Sequence, residues 1–586
     1  MNFKYLKSLV PVAALALTLG LHSCINDLDV TPIDPSTKMD FDRDAVFNKV
    51  YATLGLTGQK GADGDGDVDD IDEGTSAFYR MTWCANELVT DEAIVAGWND
   101  PGLPSLISYT WGASNEITTG AYYRLNFDIT LCNWFLENTA DETSDEEKVM
   151  RAEVRFMRAL NYFYLMDLFG DVPFSETVEY DVYPQQIKRA DLFAYIEDEL
   201  INKAEPNLKE PKTNTYGRVD KAAAWLLLAR MYLNAEVYTG TAKWTEAATY
   251  AEKVMKSQYS LCKPYKHLFM ADNGGAADGN PNNLAPNEVI LPILQDGAKT
   301  RSWGVSHFLI AGTHKKDMTN YGSTEEWKGP RCCETLVAKF FPNTASAPFV
   351  DETEMTVAAK DDRALMFGKG RTVSTGKNKD FAEGFSCAKF TNVRADGGQT
   401  SDSAFPDMDV PFMRAAEAYL TYAEALLQAN NDARGAIEQV NIVRSRVGLL
   451  GLVECNPDKN LLTDKDALLE EILRERACEL GMEDSRFFDL VRYKRADRFE
   501  KRLHGLLIYR LGEDGSRILT AWRDGTGSNS KLGGALQPVN FEYVPFELKN
   551  PVRHWWTHGF DSKWYLSPFP LAEINKGYGL VQNPGW

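Results

Sequence analysis

Residues 146–174 read EEKVMRAEVRFMRALNYFYLMDLFGDVPF, and this stretch decides the fold class. Ala152, Phe156, Ala159, Phe163 and Leu165 recur at helical spacing and mark one apolar face. Gly170 and Pro173 then supply the stop, since glycine ends helices cheaply and proline cannot continue them. Three further stretches have the same character. In GRVDKAAAWLLLARMYLNAEVYTGTAKWTEAATYAEKVM (217–255) two helical runs flank a glycine turn, and Ala247, Ala248 and Ala251 line the second. VPFMRAAEAYLTYAEALLQANNDARGAIEQVNIVRSRVG (410–448) places Tyr419, Ala423 and Ala436 comparably, and KDALLEEILRERACELGMEDSRFFDLVRYKR (465–495) closes the series. Helix pairs of about 34 residues with alanine at the crossing points resemble tetratricopeptide repeats. Their spacing is too irregular for a continuous array. The reading is a mostly α protein, a scaffold of tetratricopeptide-like helix pairs from which long excursions hang.

Those excursions, 55–125, 260–405 and 500–565, are rich in Gly, Asp, Asn, Trp and Tyr. Structureless loops of that length are uncommon, so they are expected to carry small sheets and turns of their own, together with the ligand face.

Ahead of the scaffold, Lys4 and Lys7 precede an apolar run from Leu9 to Leu21 that ends at Leu21-His22-Ser23-Cys24. A run shorter than the roughly 20 apolar residues of a membrane span reads as the h-region of a secretory signal. The cysteine at its junction resembles that of a bacterial lipobox. The expected organisation is a lipoprotein signal at 1–23, a lipidated tether at 24–40 starting with Cys24, and one domain at 41–586. Several acyl chains on Cys24 would anchor the protein far more firmly than a single chain does.

A formal charge of −21 over 586 residues argues against nucleic acid and strongly anionic polymers, and favours a neutral ligand. Nine cysteines include no CxxC pair, and no essential disulfide is expected. Nucleophile elbows, Walker loops and dinucleotide fingerprints are absent from the sequence. His554 and His558 in HWWTH have i, i+4 spacing but lack the glutamate of a zinc protease. The acid-rich GADGDGDVDDIDEG (61–74) fails as an EF-hand, because the sixth position holds Val68 or Asp70 rather than glycine. It reads as a solvated turn.

Positive evidence comes from the aromatics. Trp98 in VAGWNDPGLP, Trp303 in TRSWGVS and Trp327 in GSTEEWKGP all lie beside or within two residues of glycine or proline in the excursions. A flat indole matches the C–H face of a sugar ring, while nearby amides and carboxylates bind its hydroxyls.

From end to end the chain resembles the SusD/RagB family of outer-membrane glycan-binding lipoproteins. The matching stretches include SCINDLDVTPIDP, DEGTSAFYR, NELVTDEA, EVILPILQDGAKTRSWG, PDMDVPFMRAAEAYLTYAEALL, RERACELGMEDSRFFDLVR, LSPFPLAEI and QNPGW. The resemblance implies a tetratricopeptide-like scaffold with no catalysis. It also implies a partner, a SusC-like TonB-dependent transporter over which the lipoprotein sits as a lid. In the starch-binding founder of the family an arc of aromatics, an Arg and an Asn cradle the sugar. Carried over, the substrate-binding set is Arg80, Trp98, Asn99, Asp100, Trp303 and Trp327, with Gly97 standing where a second aromatic belongs. The family's occasional calcium points to Asp272, Asp407 and Asp409. α-Glucan is the expected ligand. The alternatives are a fructan or plant cell-wall oligosaccharide in the same role, a surface glycosidase, or a pure assembly protein.

Overall fold

The computed structural model describes residues 41–586 except 65, 96–97, 99, 109–110, 142, 180–181, 319–320, 374, 376–379, 496–505, 512–516, 523–540 and 546–561. Cys24, Asn99, His554 and His558 therefore lie outside the described residues.

Eleven helices carry the argument: α1 (Phe78–Glu87), α2 (Glu116–Asn138), α3 (Asp145–Phe169), α4 (Arg189–Asp198), α5 (Lys221–Leu233), α6 (Trp244–Met255), α7 (Ser306–Thr313), α8 (Ala415–Asn430), α9 (Ala433–Arg446), α10 (Lys465–Leu480) and α11 (Arg486–Arg495). Four short strands matter to the site: β1 (Ala93–Val95), β2 (Val289–Ile293), β3 (Pro330–Cys332) and β4 (Val410–Arg414). Helix α3 packs on α2, α6 packs on both α5 and α8, and α8 packs on α9 and α10. The second and third helix pairs thus stack directly, although the excursion 260–405 separates them in sequence. That excursion leaves and returns through one antiparallel pair, with Val289 opposite Arg414 and Ile293 opposite Val410.

The start of α3 is set locally. Ser144 Oγ accepts from Glu147 N at 3.2 Å, and the Glu147 carboxylate accepts from Ser144 N at 2.8 Å, forming a capping box. Gly170 ends the helix at φ +76°, a conformation that side chains resist. The single apolar face expected for this helix is corrected by the structure. From Phe156 to Phe169 every residue is buried, polar ones included. A helix enclosed on all sides must satisfy its polar groups internally. Arg158 accordingly donates to Asn133 and to Glu199, and Asp167 accepts from Tyr238 Oη at 2.7 Å.

The excursions carry more helix than expected. Helix α1 and the start of α2 fall within 55–125, and α7 lies within 260–405. In 500–565 three antiparallel strands, Leu506–Leu511, Arg517–Trp522 and Phe541–Pro545, form one sheet.

Opposite charges are buried in bulk where α10 meets the returning excursion. Arg414 Nη1 lies 2.8 Å from Glu288, its Nε lies 2.7 Å from Glu483, and Arg446 lies 3.0 Å from Glu288. Glu479 accepts from both arginines, while Arg363 reaches Glu475 at 3.0 Å. Buried charges survive only when paired in this way.

Candidate functional site: an aromatic surface on the excursions

Two short elements bring distant tryptophans together. Strands β1 and β3 pair antiparallel, with Ala93 opposite Cys332 and Val95 opposite Pro330. The chain leaves that ladder just before Trp98 and enters it just after Trp327. Two backbone bonds then fasten the Trp327 loop to the end of α7: Trp327 N to Ala311 O and Gly329 N to Gly312 O, both 2.7 Å.

The rings form one connected surface. The Trp98 and Trp327 centroids lie 5.9 Å apart at 65°, and those of Trp327 and Trp303 lie 6.0 Å apart at 52°. Phe405 extends the series at 4.6 Å from Trp303. His307 sits 4.7 Å from both Trp303 and Trp327. All three indoles are half-buried, held at one side and open at another, whereas His307 is buried beneath them. Burial pushes the His307 ring down to about 4, so it is a neutral support near pH 7.

Two of the three indoles are also pinned by their polar edges. Trp98 Nε1 donates to the Trp327 carbonyl at 2.7 Å, and Trp303 Nε1 donates to Asp63 Oδ1 at 2.9 Å. Asp63 comes from the acid-rich stretch 61–74, which thereby gains a role beyond solvation. Glu73, from the same stretch, accepts from Thr57, Ser302 and the Trp303 backbone, while burial raises its carboxyl. A two-bond tether of this kind orients the ring at little entropic cost to a ligand.

Arg80 occupies the first turn of α1, whose ten residues are all buried. Its Nη2 donates to Asp100 Oδ2 at 2.6 Å, and its guanidinium lies 5.1 Å from the Phe308 centroid and 5.8 Å from that of Trp98. Asp100 is the open partner, 43% exposed against 4% for Arg80. Arg80 thus supports the Trp98 loop from below, and Asp100 is the polar group that faces outward.

The structure brings together Arg80, Trp98, Asp100, Trp303 and Trp327 from the sequence-derived set. It adds His307, Phe308 and Phe405. His307 lies four residues beyond Trp303, close by in the sequence, whereas nothing in the sequence links Phe405 to this surface.

The three candidate calcium ligands are each hydrogen-bonded within the chain, and the Asp409 carboxyl is raised by burial first and then by the nearby Asp278 and Asp407. Asp272 accepts from Asn280, Asn283 and the Ala395 backbone at 2.7, 3.1 and 2.9 Å. Asp407 accepts from Gly297 N at 2.8 Å and Ser401 N at 2.7 Å. Asp409 accepts from Gln295 N at 2.7 Å and Tyr216 Oη at 3.0 Å. Each carboxylate closes a loop through N–H and O–H donors. Among the described residues no three His, Cys, Asp or Glu side chains are grouped to hold a metal ion. Nor is any described helix long and apolar enough to cross a membrane.

Stacked helix pairs bearing an aromatic surface on long insertions define a helical scaffold protein, with neither a closed barrel nor a doubly wound sheet among the described residues. The chain belongs to the SusD family: the model of that family matches residues 227–586. A second model, described as starch-binding associating with outer membrane, matches residues 30–252. The starch-binding protein SusD of Bacteroides thetaiotaomicron is 42% identical over 524 residues, covering 84% of this chain and 91% of that one. A SusD-like protein of Bacteroides ovatus is 27% identical over 458 residues, 72% of this chain and 75% of its own length. A solved SusD-like protein from Bacteroides fragilis superposes with TM-score 0.62 at 18% identity, covering 95% of this chain and all (100%) of that chain. A laminarin-binding SusD-like protein superposes at 0.59 and 18% identity, covering 94% of this chain and 100% of that one.

Proposed function

We propose that this protein is a non-catalytic, cell-surface glycan-binding lipoprotein of the outer membrane. It captures neutral oligosaccharides and passes them to a TonB-dependent transporter of the SusC kind. The observation that carries the reading is the connected, half-exposed surface of Trp98, Trp327 and Trp303, with Asp100 opening beside it. Indole faces seat the C–H faces of sugars, and an acceptor at the rim accepts hydrogen bonds from their hydroxyls. The surface lies on loops of a rigid scaffold, where a shallow and weakly binding site releases its ligand readily.

Weak binding suffices for capture beside a channel, because tethering replaces affinity with effective concentration. Acylation of Cys24 would supply that tether. α-Glucan is the preferred ligand, supported by the relative named as starch-binding at 42% identity.

Titration calorimetry against maltooligosaccharides, fructans and cell-wall oligosaccharides tests the ligand, with heat expected for the maltooligosaccharides. New reducing ends during incubation would overturn the non-catalytic reading. Unchanged import by cells carrying Trp98→Ala, Trp303→Ala and Trp327→Ala together would overturn capture at this surface.

A further inference from the structure

The acid-rich stretch 61–74 has a second face, turned toward a cleft of about 620 Å3 whose lining contains none of the three site tryptophans. The first turns of α2 and the C-terminal segment around Pro570–Lys576 complete its walls. That volume lies inside the range of small-ligand sites, about 300–1,000 Å3. Tyr123 and Phe127 stand one helical turn apart on α2, both half-buried, so their rings lie on one face of the helix and line the cleft. Arg124 and Lys49 hold Phe127 at 5.5 and 5.9 Å from its centroid. Leu571, 47% exposed, adds apolar wall.

The charges in the cleft fall into two groups. Asp67 is neutralised by Lys49 at 2.8 Å and Arg124 at 3.3 Å. Glu573 accepts from Tyr123 Oη and Lys576 Nζ, both at 2.7 Å. Asp69, Asp70 and Glu116 also line the cleft, and the structure gives them no hydrogen-bond or ion-pair partner. Asp69 and Asp70 are exposed and Glu116 is half-buried, so all three can accept from a ligand in exchange for water.

A ligand suited to this cleft carries no negative charge, donates several hydrogen bonds and has a flat apolar face. Lys576, already inside, disfavours a basic peptide. We infer that this cleft is a second saccharide site, distinct from the tryptophan surface, in which Tyr123 and Phe127 seat a sugar and the free carboxylates take its hydroxyls. The inference rests on the glycan reading above for its ligand class. Two sites on one chain would let a long glycan bind at both, raising avidity without new contacts.

The test uses the full chain, soaked as crystals and titrated with maltoheptaose, laminarihexaose and a fructan oligosaccharide in turn. Ala572 lines the cleft and is exposed, so Ala572→Trp fills the cleft with little effect on the fold. Glu116→Lys is a second block, and thermal melts check both variants. The expected result is sugar density in the cleft and two binding events per chain. One event survives Trp98→Ala with Trp327→Ala, and Ala572→Trp weakens that one at least about tenfold. Density at the tryptophans alone, with none of the three sugars in the cleft, overturns this site and leaves glycan capture standing. Density in the cleft alone does the reverse. Displacement of a fluorescent oligolysine by Ala572→Trp, without any sugar bound there, also overturns it in favour of a peptide.

Discussion

The indole N–H of Trp98 donates to the backbone carbonyl of Trp327 across 2.7 Å, joining residues 229 apart in sequence. One ring of the proposed platform is therefore held by the backbone beneath another. Rigid aromatic anchors of this kind dominate binding energy when their pockets are pre-formed.

Trp98→Phe and Trp98→Ala should separate the two contributions. The phenylalanine keeps a ring near Trp327 but loses the N–H, so the loop slackens and affinity for the best glycan falls about threefold. Alanine removes the seat as well and should cost about tenfold, or ~1.4 kcal/mol. Calorimetry on both variants measures the gap, and equal losses would show that the hydrogen bond matters and the ring does not.

Gly329 should be as important as any aromatic. A Cβ built there would lie 2.3 Å from the Trp98 indole atoms Cε2 and Cζ2, closer than real contacts allow. Gly329→Ala is expected to push the indole off its seat and weaken glycan binding about as much as Trp98→Ala. Because Trp98 is half-exposed, it can move aside, and the melting temperature should change little. A variant that binds normally would show that the indole tolerates displacement.

Glu479 is the acidic hub of the buried charges behind α10. Burial alone would raise its carboxyl, but Arg446, Arg414 and Arg363 hold it well below the usual range. Glu479→Gln should strand positive charge in the interior and cost about 3–5 kcal/mol, as breaking buried pairs does. A urea midpoint lowered with an unchanged slope is the expected signature. A loss below 1 kcal/mol would mean that neighbouring carboxylates re-pair the arginines.

The helices were legible because periodicity, a capping box and Gly170 agree locally over 144–170. Which faces of α3 are buried was not legible, since Arg158 and Asp167 look solvent-bound until Glu199 and Tyr238 are placed beside them. The site tryptophans stood out by their glycine and proline neighbours. Their assembly depends on the β1–β3 pairing and on Phe405, contacts between segments with no shared pattern. Nor does the sequence show that Asp272, Asp407 and Asp409 accept hydrogen bonds from the backbone of distant segments: a carboxylate bound by backbone amides and one facing a cation are spelled alike. In 61–74 the carboxylates divide between Asp63 and Glu73, which serve Trp303, and Asp69 and Asp70, which line the cleft.

The pH dependence of stability should turn on a different set of carboxyls. Burial raises Asp128 from 3.8 to about 7, even with Arg124 and Lys49 nearby to oppose it and Asp67 adding to it. Burial likewise raises Glu92 and Asp484 to about 7. These groups hold their protons more tightly folded than unfolded, so their contribution is complete below about pH 4. It is lost as pH rises toward 7, at about 1.4 kcal/mol per unit for each group. Asp91 has the opposite sign. Burial opposes its ionisation, but Arg486 outweighs that and lowers it to about 2, so its contribution is lost as pH falls below 4. Stability should therefore peak near pH 4–5 and decline toward neutrality. Asp128→Asn removes one titrating group: it should flatten the decline between pH 4 and 7, leaving the part due to Glu92 and Asp484. At pH 8 the variant should match or exceed the parent, and at pH 4 it should gain nothing. Urea midpoints across pH 3–8 decide the matter, and a slope unchanged by the substitution would mean that Asp128 is ionised in the folded chain.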